Sequence, residues 1–168
     1  MRREPAIMSE LHSRASRWYE GHEIPSGAVH HALAAGDMQH AAGLIEKAAD
    51  ALIRRSEFET LTGWIDQLPQ TEIHSRPLLE IYRAGTRLMA GAPLEDISRN
   101  LQQAPPDIEH HHSGEMSVLR SLIAALQGQV QLSRSYAHQA LDALPEESPL
   151  MHSLTSQNIG FASVAEGD

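Results

Sequence analysis

Apolar residues recur every three or four positions in short segments of this chain, and glycine or proline separates one segment from the next. The clearest segment follows Asp37, a suitable N-cap. Its apolar residues share one side of a helix: Met38, Ala41, Ala42, Ile45, Ala48, Ala49, Leu52 and Ile53. Arg54 and Arg55 suit its last turn, where the helix dipole favours positive charge. This spacing predicts an amphipathic α-helix.

The same pattern predicts nine helices, and no segment alternates at the period of two that a half-buried strand shows. We expect Ser9 to cap the first helix, which runs to Glu20, and Ser56 to cap the fourth. The buried side of the first helix is predicted to hold Leu11, Ala15, Trp18 and Tyr19. The second begins at Pro25 and ends at Gly36. The others are predicted at about 57–68, 77–90, 93–104, 115–127, 133–144 and 148–165, with a loop at 105–114.

Helix pairs recur along the second half of the chain. Pairs begin near Arg76 and Glu115 and a further helix near Ser148, which is close to the period of about 34 residues of a tetratricopeptide repeat (TPR). Ala140 followed by Pro145 fits the end of that repeat, whereas the tryptophan, leucine–glycine and tyrosine of its first helix are missing. We therefore predict an all-α chain whose antiparallel helical hairpins stack as a degenerate, truncated TPR-like superhelical array.

Composition narrows the function classes. The net charge is −9, from 13 Lys and Arg against 22 Asp and Glu, which argues against binding a phosphate backbone. There is no cysteine, so disulfides, thiolate metal sites and cysteine nucleophiles are excluded. No signal peptide or membrane-spanning segment is apparent. We expect a cytoplasmic protein.

Several short strings resemble one family, the large ATP-binding, LuxR-type, MalT-like transcriptional activators. They are Leu11-His12, Arg14-Ala15-Ser16, Trp18-Tyr19, Ala-Ala-Gly-Asp at 34–37, Ala41-Ala42, Leu44-Ile45-Glu46, Trp64 with Leu68-Pro69, and Arg76-Pro77. The resemblance implies a helical arm or connector over residues 1–70 and the start of a TPR-like sensor domain over 71–168. It also implies that the chain is the arm–sensor junction of a longer regulator.

The resemblance further implies a regulatory module that is not an enzyme and binds a small-molecule inducer or a regulatory protein. ATP is expected elsewhere in the regulator, because no P-loop string occurs here. No basic helix-turn-helix occurs either, so we expect no direct DNA binding by this segment. The other domains of the regulator are expected partners, and self-association stays open. The alternative is a free-standing TPR-like scaffold for protein–protein interaction.

Three residues are candidate ligand contacts: Tyr82, Arg83 and Arg87, on the first helix of a predicted pair. Arg83 and Arg87 lie one turn apart, and Glu80 can pair with Arg83. The competing interpretation is a solvated, ion-paired helix face.

The remaining candidates for chemistry favour structural roles. The histidines at 110–112 are adjacent on a predicted loop and cannot easily share one tetrahedral ion, so we predict no metal site there. The aromatic residues Trp18, Phe58, Trp64 and Tyr82 are expected in the core. No serine lies in a Gly-x-Ser-x-Gly elbow, and carboxylate pairs lie at helix starts, where the dipole favours them. We predict no catalytic residue.

Overall fold

The computed structural model describes residues 3–102, 111–146 and 148–166, with the side chains of 3–5, 100, 102 and 161–166 left aside. Within these ranges the chain is all-helical, with ten helices and no strand, which confirms the predicted class. The helices are α1 (Arg3–Gly21), α2 (Pro25–Ala35), α3 (Met38–Arg54), α4 (Phe58–Ile65), α5 (Gln70–His74), α6 (Pro77–Met89), α7 (Leu94–Gln102), α8 (Ser113–Leu126), α9 (Val130–Ala143) and α10 (Pro149–Glu166).

Glycine and capping residues set several helix ends where the sequence predicted them. Gly36, Gly91 and Gly128 have φ of 78°, 78° and 71°, a left-handed conformation that glycine adopts at little cost. The Asp37 carboxylate caps α3 by accepting a hydrogen bond of 3.2 Å from the His40 backbone N–H. The predicted second and third helices are therefore confirmed. The predicted last helix is also confirmed, because α10 spans Pro149–Glu166.

Two predicted caps are wrong. Ser9 lies inside α1, and its hydroxyl donates across to the Ala35 carbonyl at 2.7 Å. Helix α1 extends back to Arg3, because Pro5 in the first turn removes no helical hydrogen bond. Ser56 has φ 59° and lies outside α4, so it supplies no cap to that helix.

The predicted helix over 57–68 is shorter than expected, and a helix that was not predicted follows it. Helix α4 ends at Ile65, and Gln67 and Leu68 make turn hydrogen bonds back to Trp64 and Ile65. Leu68 precedes Pro69, and a residue before proline disfavours the helical conformation. Helix α5 then begins directly after Pro69.

Parts of two predictions fall outside the described residues. These are the end of the sixth predicted helix, at 103–104, and most of the predicted loop at 105–114. Residues 111 and 112 precede α8, while Ser113 and Gly114 form its first turn rather than a loop. Gly167 and Asp168 also lie outside the described residues.

The chain divides into two compact units, Met1–Thr86 and Arg87–Asp168. Alanine makes up most of the buried residues of α2 and α3, and larger aliphatic side chains fill the rest of the first unit's core. Its fully buried side chains include Ala28, Val29, Ala32, Ala41, Ala42, Ile45, Ala49, Leu61 and Ile65. Because alanine lets helix backbones approach closely, α2 and α3 pack tightly here. The predicted division at residue 70 concerns an arm and a sensor, and it stays a prediction about function.

In the second unit, α8 and α9 form a closely packed antiparallel hairpin. Gly114, at the start of α8, lies against the Leu144 backbone just after α9. In the middle of the hairpin, the Ser121 hydroxyl donates to the Ser133 carbonyl at 2.8 Å, and Ser133 returns a 3.0 Å bond to the Ser121 carbonyl. Asn158 of α10 donates to the Ser121 hydroxyl at 2.6 Å. A buried polar network therefore joins these three helices.

Candidate functional site

The predicted ligand contact Tyr82 lies on the side of α6 that faces α3. It is 7% exposed, and its hydroxyl donates to the Asp50 carboxylate at 2.9 Å. One turn earlier on α3, Glu46 accepts a 2.6 Å hydrogen bond from the guanidinium of Arg76. These two contacts attach α6 to α3. They also engage the Tyr82 hydroxyl, the group of this residue that would bond to a ligand.

Arg83 is paired with Glu80, as its spacing predicted. Its Nη2 lies 2.7 and 2.8 Å from the two carboxylate oxygens, and the side chains are 12% and 4% exposed. The pair is buried, so the alternative of a solvated ion-paired face is wrong at this position. Arg87 is half-buried. Ligand binding by Tyr82, Arg83 and Arg87 stays a prediction.

Helix α1 packs on α2 through a polar stripe. Besides the bond from Ser9, the buried Ser16 hydroxyl donates to the Ala28 carbonyl at 2.8 Å. The Tyr19 ring covers Gly27, where a Cβ atom would lie only 2.5 Å from the ring. Glycine is therefore required for this close approach.

Two histidines meet in the same stripe. The Nδ1 atoms of His12 and His31 are 2.8 Å apart, so one ring donates and the other accepts. The Tyr19 ring stacks on the His31 ring with centroids 5.3 Å apart, and the His30 ring contacts the His31 ring edge-on. Burial, and then the neighbouring His12 and His30, lower the pKa of His31 below its ordinary value of 6.5. The neutral form of His31 is therefore favoured in the folded chain.

The C-terminal end of α1 is tied to α3. The Glu20 carboxylate accepts a 2.9 Å bond from the Lys47 ammonium, and His40 lies 3.4 Å from its other oxygen. The hydrogen bond from Lys47 lowers the pKa of Glu20 below 4.5, although burial acts in the opposite direction. These polar contacts hold the end of α1 against α3, in addition to the polar stripe that packs on α2.

The apolar residues of α1 lie on its outer side. Leu11 and Trp18, predicted to be buried, are 51% and 54% exposed, and Ile7 and Met8 are exposed to a similar degree. The prediction was wrong because the polar stripe, and not the apolar one, packs on α2. The outer stripe comprises Ile7, Met8, Leu11, Ala15 and Trp18, and we call it the α1 stripe.

Trp18 is exposed but held in one orientation. His22 stacks on it with centroids 3.9 Å apart, and the His22 Nδ1 is 2.7 Å from the Trp18 carbonyl oxygen. Tyr19 meets the indole edge-on at 5.0 Å. A large aromatic ring that is exposed and already oriented loses little conformational entropy on binding. Trp18 is therefore suited to contact a partner.

The histidine-rich segment does not form a recognisable metal site in the part of the chain that the structure describes. No group of three or more His, Cys, Asp and Glu residues converges there. His112 lies 3.6 Å from Glu115 instead, and His110 is outside the described residues. No helix among the described residues is both long and apolar enough to cross a membrane.

The chain is similar to the serine/threonine-protein kinase PknK of two strains of Mycobacterium tuberculosis and one of Mycobacterium bovis. In each case 86 residues align at 35% identity, which is 51% of this chain and 8% of the kinase. The chain therefore spans a small part of the length of these curated relatives. No family model and no solved structure matches it.

Proposed function

We propose that this chain is a regulatory, protein-binding helical-repeat module and performs no chemistry of its own. The observation that carries the proposal is the α1 stripe, in which Leu11 and Trp18 are exposed while the opposite, polar side of α1 packs on α2. Contiguous exposed apolar residues mark interaction sites on folded proteins. Tryptophan is among the residues most enriched at the energetic centre of such sites.

A TPR-like array is supported by a helix crossing that recurs in both units. In α1–α2, Ser16 donates to the carbonyl of residue 28, and in α8–α9, Ser121 donates to the carbonyl of residue 133. Both bonds measure 2.8 Å, both serines are buried, and both partners lie twelve residues further along the chain. Two helical hairpins at opposite ends of the chain thus cross at an equivalent small residue.

The spacing of these crossings supports the same proposal. Ser16 and Ser121 are 105 residues apart, about three repeats of 34 residues. Ala49 of α3 lies 33 residues after Ser16, and it and Leu61, twelve residues on, are fully buried. A small residue on the first helix of each pair, at intervals of about one repeat, is what stacked hairpins of one type require.

We further propose that the module belongs to a MalT-like activator, whose other domains bind ATP and DNA. The similarity to PknK, which is named as a kinase, covers only a short segment of that protein. A module of this kind in a longer signalling protein would transmit a binding event to the rest of the chain. Tyr82 and Arg83 already bond to Asp50 and Glu80, which argues against a small-molecule site at α6. The exposed α1 stripe favours a protein partner instead.

Site-specific photo-crosslinking in cells tests the proposal. A photo-reactive amino acid is placed at position 18 on the α1 stripe or, as the matched control, at position 132, where Leu132 of α9 is 43% exposed. We expect the photo-reactive residue at position 18 to crosslink to one discrete segment of a protein. We expect Leu11→Asp to abolish that crosslink. Equal labelling from both positions, or none from position 18, would contradict a binding role for the stripe.

A further inference from the structure

We infer that the partner of the α1 stripe is an amphipathic helix that carries an acidic residue opposite Arg14. This inference rests on the proposed protein-binding function and deepens it.

The spacing of the α1 stripe suits a helix as its occupant. Met8, Leu11, Ala15 and Trp18 follow one another at intervals of three, four and three residues. This is the a and d pattern of a heptad, which packs against another helix by knobs into holes. A narrow stripe of this kind is the seam of a helix pair rather than the broad face of a globular core.

Arg14 lies directly beside the apolar seam that a partner would cover, at the g position of the heptad. It follows Leu11 by three residues and precedes Trp18 by four, so the three residues share one side of the helix. Arg14 is exposed, and no residue in the described ranges forms an ion pair with it. Covering a charge without pairing it is costly. An occupant that seals the stripe must therefore supply a carboxylate to Arg14.

The charge beside the seam favours an acidic partner. Among residues 6–19, Arg14 is the one Lys, Arg, Asp or Glu at an e or g position beside the seam, because Glu10 and Arg17 fall at c positions away from it. A partner helix with carboxylates along its flank would meet this position with complementary charge. Such complementarity sets the orientation and the choice of partner in helix pairs.

A second copy of the chain fits the stripe less well. In two antiparallel α1 helices, Leu11 of one copy would pack against Ala15 of the other. The two-fold axis would then pass close to Arg14. In a two-fold pair every contact is made twice, so the two Arg14 side chains would come together. Like charges in this position disfavour association. The arginine that selects for an acidic partner thus also selects against self-pairing.

A displayed peptide library provides the test. The peptides are helices of about three heptads with leucine at a and d, and with Glu, Lys or Gln varied at e and g. They are selected on the wild-type chain and, in parallel, on Arg14→Glu, after depletion on Leu11→Asp. Both substituted sites, Leu11 and Arg14, are exposed, and circular dichroism verifies that each variant stays folded.

We expect glutamate to be enriched on the wild type and lysine on Arg14→Glu. The best acidic peptide should bind Arg14→Glu at least about tenfold more weakly, because one partner of a covered charge pair is reversed. The inference is overturned if the selected charge does not depend on residue 14, if no peptide is enriched, or if the wild type dimerises through the stripe. Crosslinking at position 18 to a partner without an acidic helix would defeat this inference while leaving the proposed function intact.

Discussion

Replacing Gly114 by alanine is expected to destabilise the α8–α9 hairpin. A Cβ atom at this position would lie 2.9 Å from the backbone nitrogen of Leu144, and 3.0 Å from the Ala143 carbonyl carbon and the Leu144 Cα. These neighbours are backbone atoms, so they cannot rotate away as a side chain would. The two helices must separate, and overpacking of this kind costs about 1–3 kcal/mol.

Thermal unfolding followed by circular dichroism measures the effect. For a chain of this length the cost corresponds to a decrease in Tm of about 2–12 °C. Gly160 is the matched control, because it also lies in a helix of the second unit, is exposed, and has no atom within 4 Å of an added Cβ. Gly160→Ala should instead raise stability by about 0.5–1 kcal/mol, the usual gain for alanine in a helix.

Opposite signs for the two glycines are the decisive feature. If Gly114→Ala melted at or above the wild-type temperature while Gly160→Ala behaved as expected, α8 and α9 would not approach as closely as described. The interpretation of the Ser121–Ser133 crossing as a repeated hairpin contact would then lose its support, since that crossing depends on the same close approach.

Two further predictions concern the first unit. Tyr82→Phe removes the hydrogen bond to Asp50 and should lower the free energy of unfolding by about 0.5–1.5 kcal/mol in urea denaturation, and an unchanged value would show that this bond does not hold α6 on α3. Because the pKa of His31 is lowered by folding, the unfolded chain binds more protons, so Tm should decrease as pH falls below about 6.5 and level off below the folded-state pKa. A His31→Gln variant should show a flatter profile between pH 7.5 and 5.5, a range that lies above the titration of Glu20, and an identical profile would contradict this role of His31.

Local signals were sufficient to predict most of the helices. Glycine in a left-handed conformation, proline in a first turn and an aspartate cap act through the backbone of a few adjacent residues. Gly36 with Asp37 therefore marked the boundary between α2 and α3 correctly. The Ser56 cap was predicted wrongly and helix α5 was missed, because serine and proline signals allow more than one backbone conformation and the tertiary packing decides between them.

The orientation of α1 could not be predicted from periodicity. The helix has an apolar stripe and a polar stripe of similar length, and hydrophobic spacing alone assigns the apolar one to the core. The polar stripe packs inward because its side chains match specific features of α2, such as Gly27 beneath the Tyr19 ring and the carbonyl that accepts from Ser16. These matches depend on residues of a second helix, which no local pattern reveals.

The candidate site on α6 shows the same division between local and distant information. The pairing of Glu80 with Arg83 follows from their spacing of three residues and was predicted. The bond from Tyr82 to Asp50 joins residues 32 positions apart, and the burial of the Glu80–Arg83 pair depends on tertiary packing that their spacing does not reveal. The sequence therefore identified an ion pair but not its environment.

The exposure of Trp18 is the most direct test of the account, because the proposed binding role requires an uncovered α1 stripe. In a Trp64→Phe background, at a concentration where sedimentation shows a monomer, Trp18 is the one fluorescent indole. We predict emission typical of an indole in water and efficient quenching by acrylamide, in keeping with a side chain that is 54% exposed. Blue-shifted emission that acrylamide does not quench would show that the stripe is packed inside the chain, and would contradict the account.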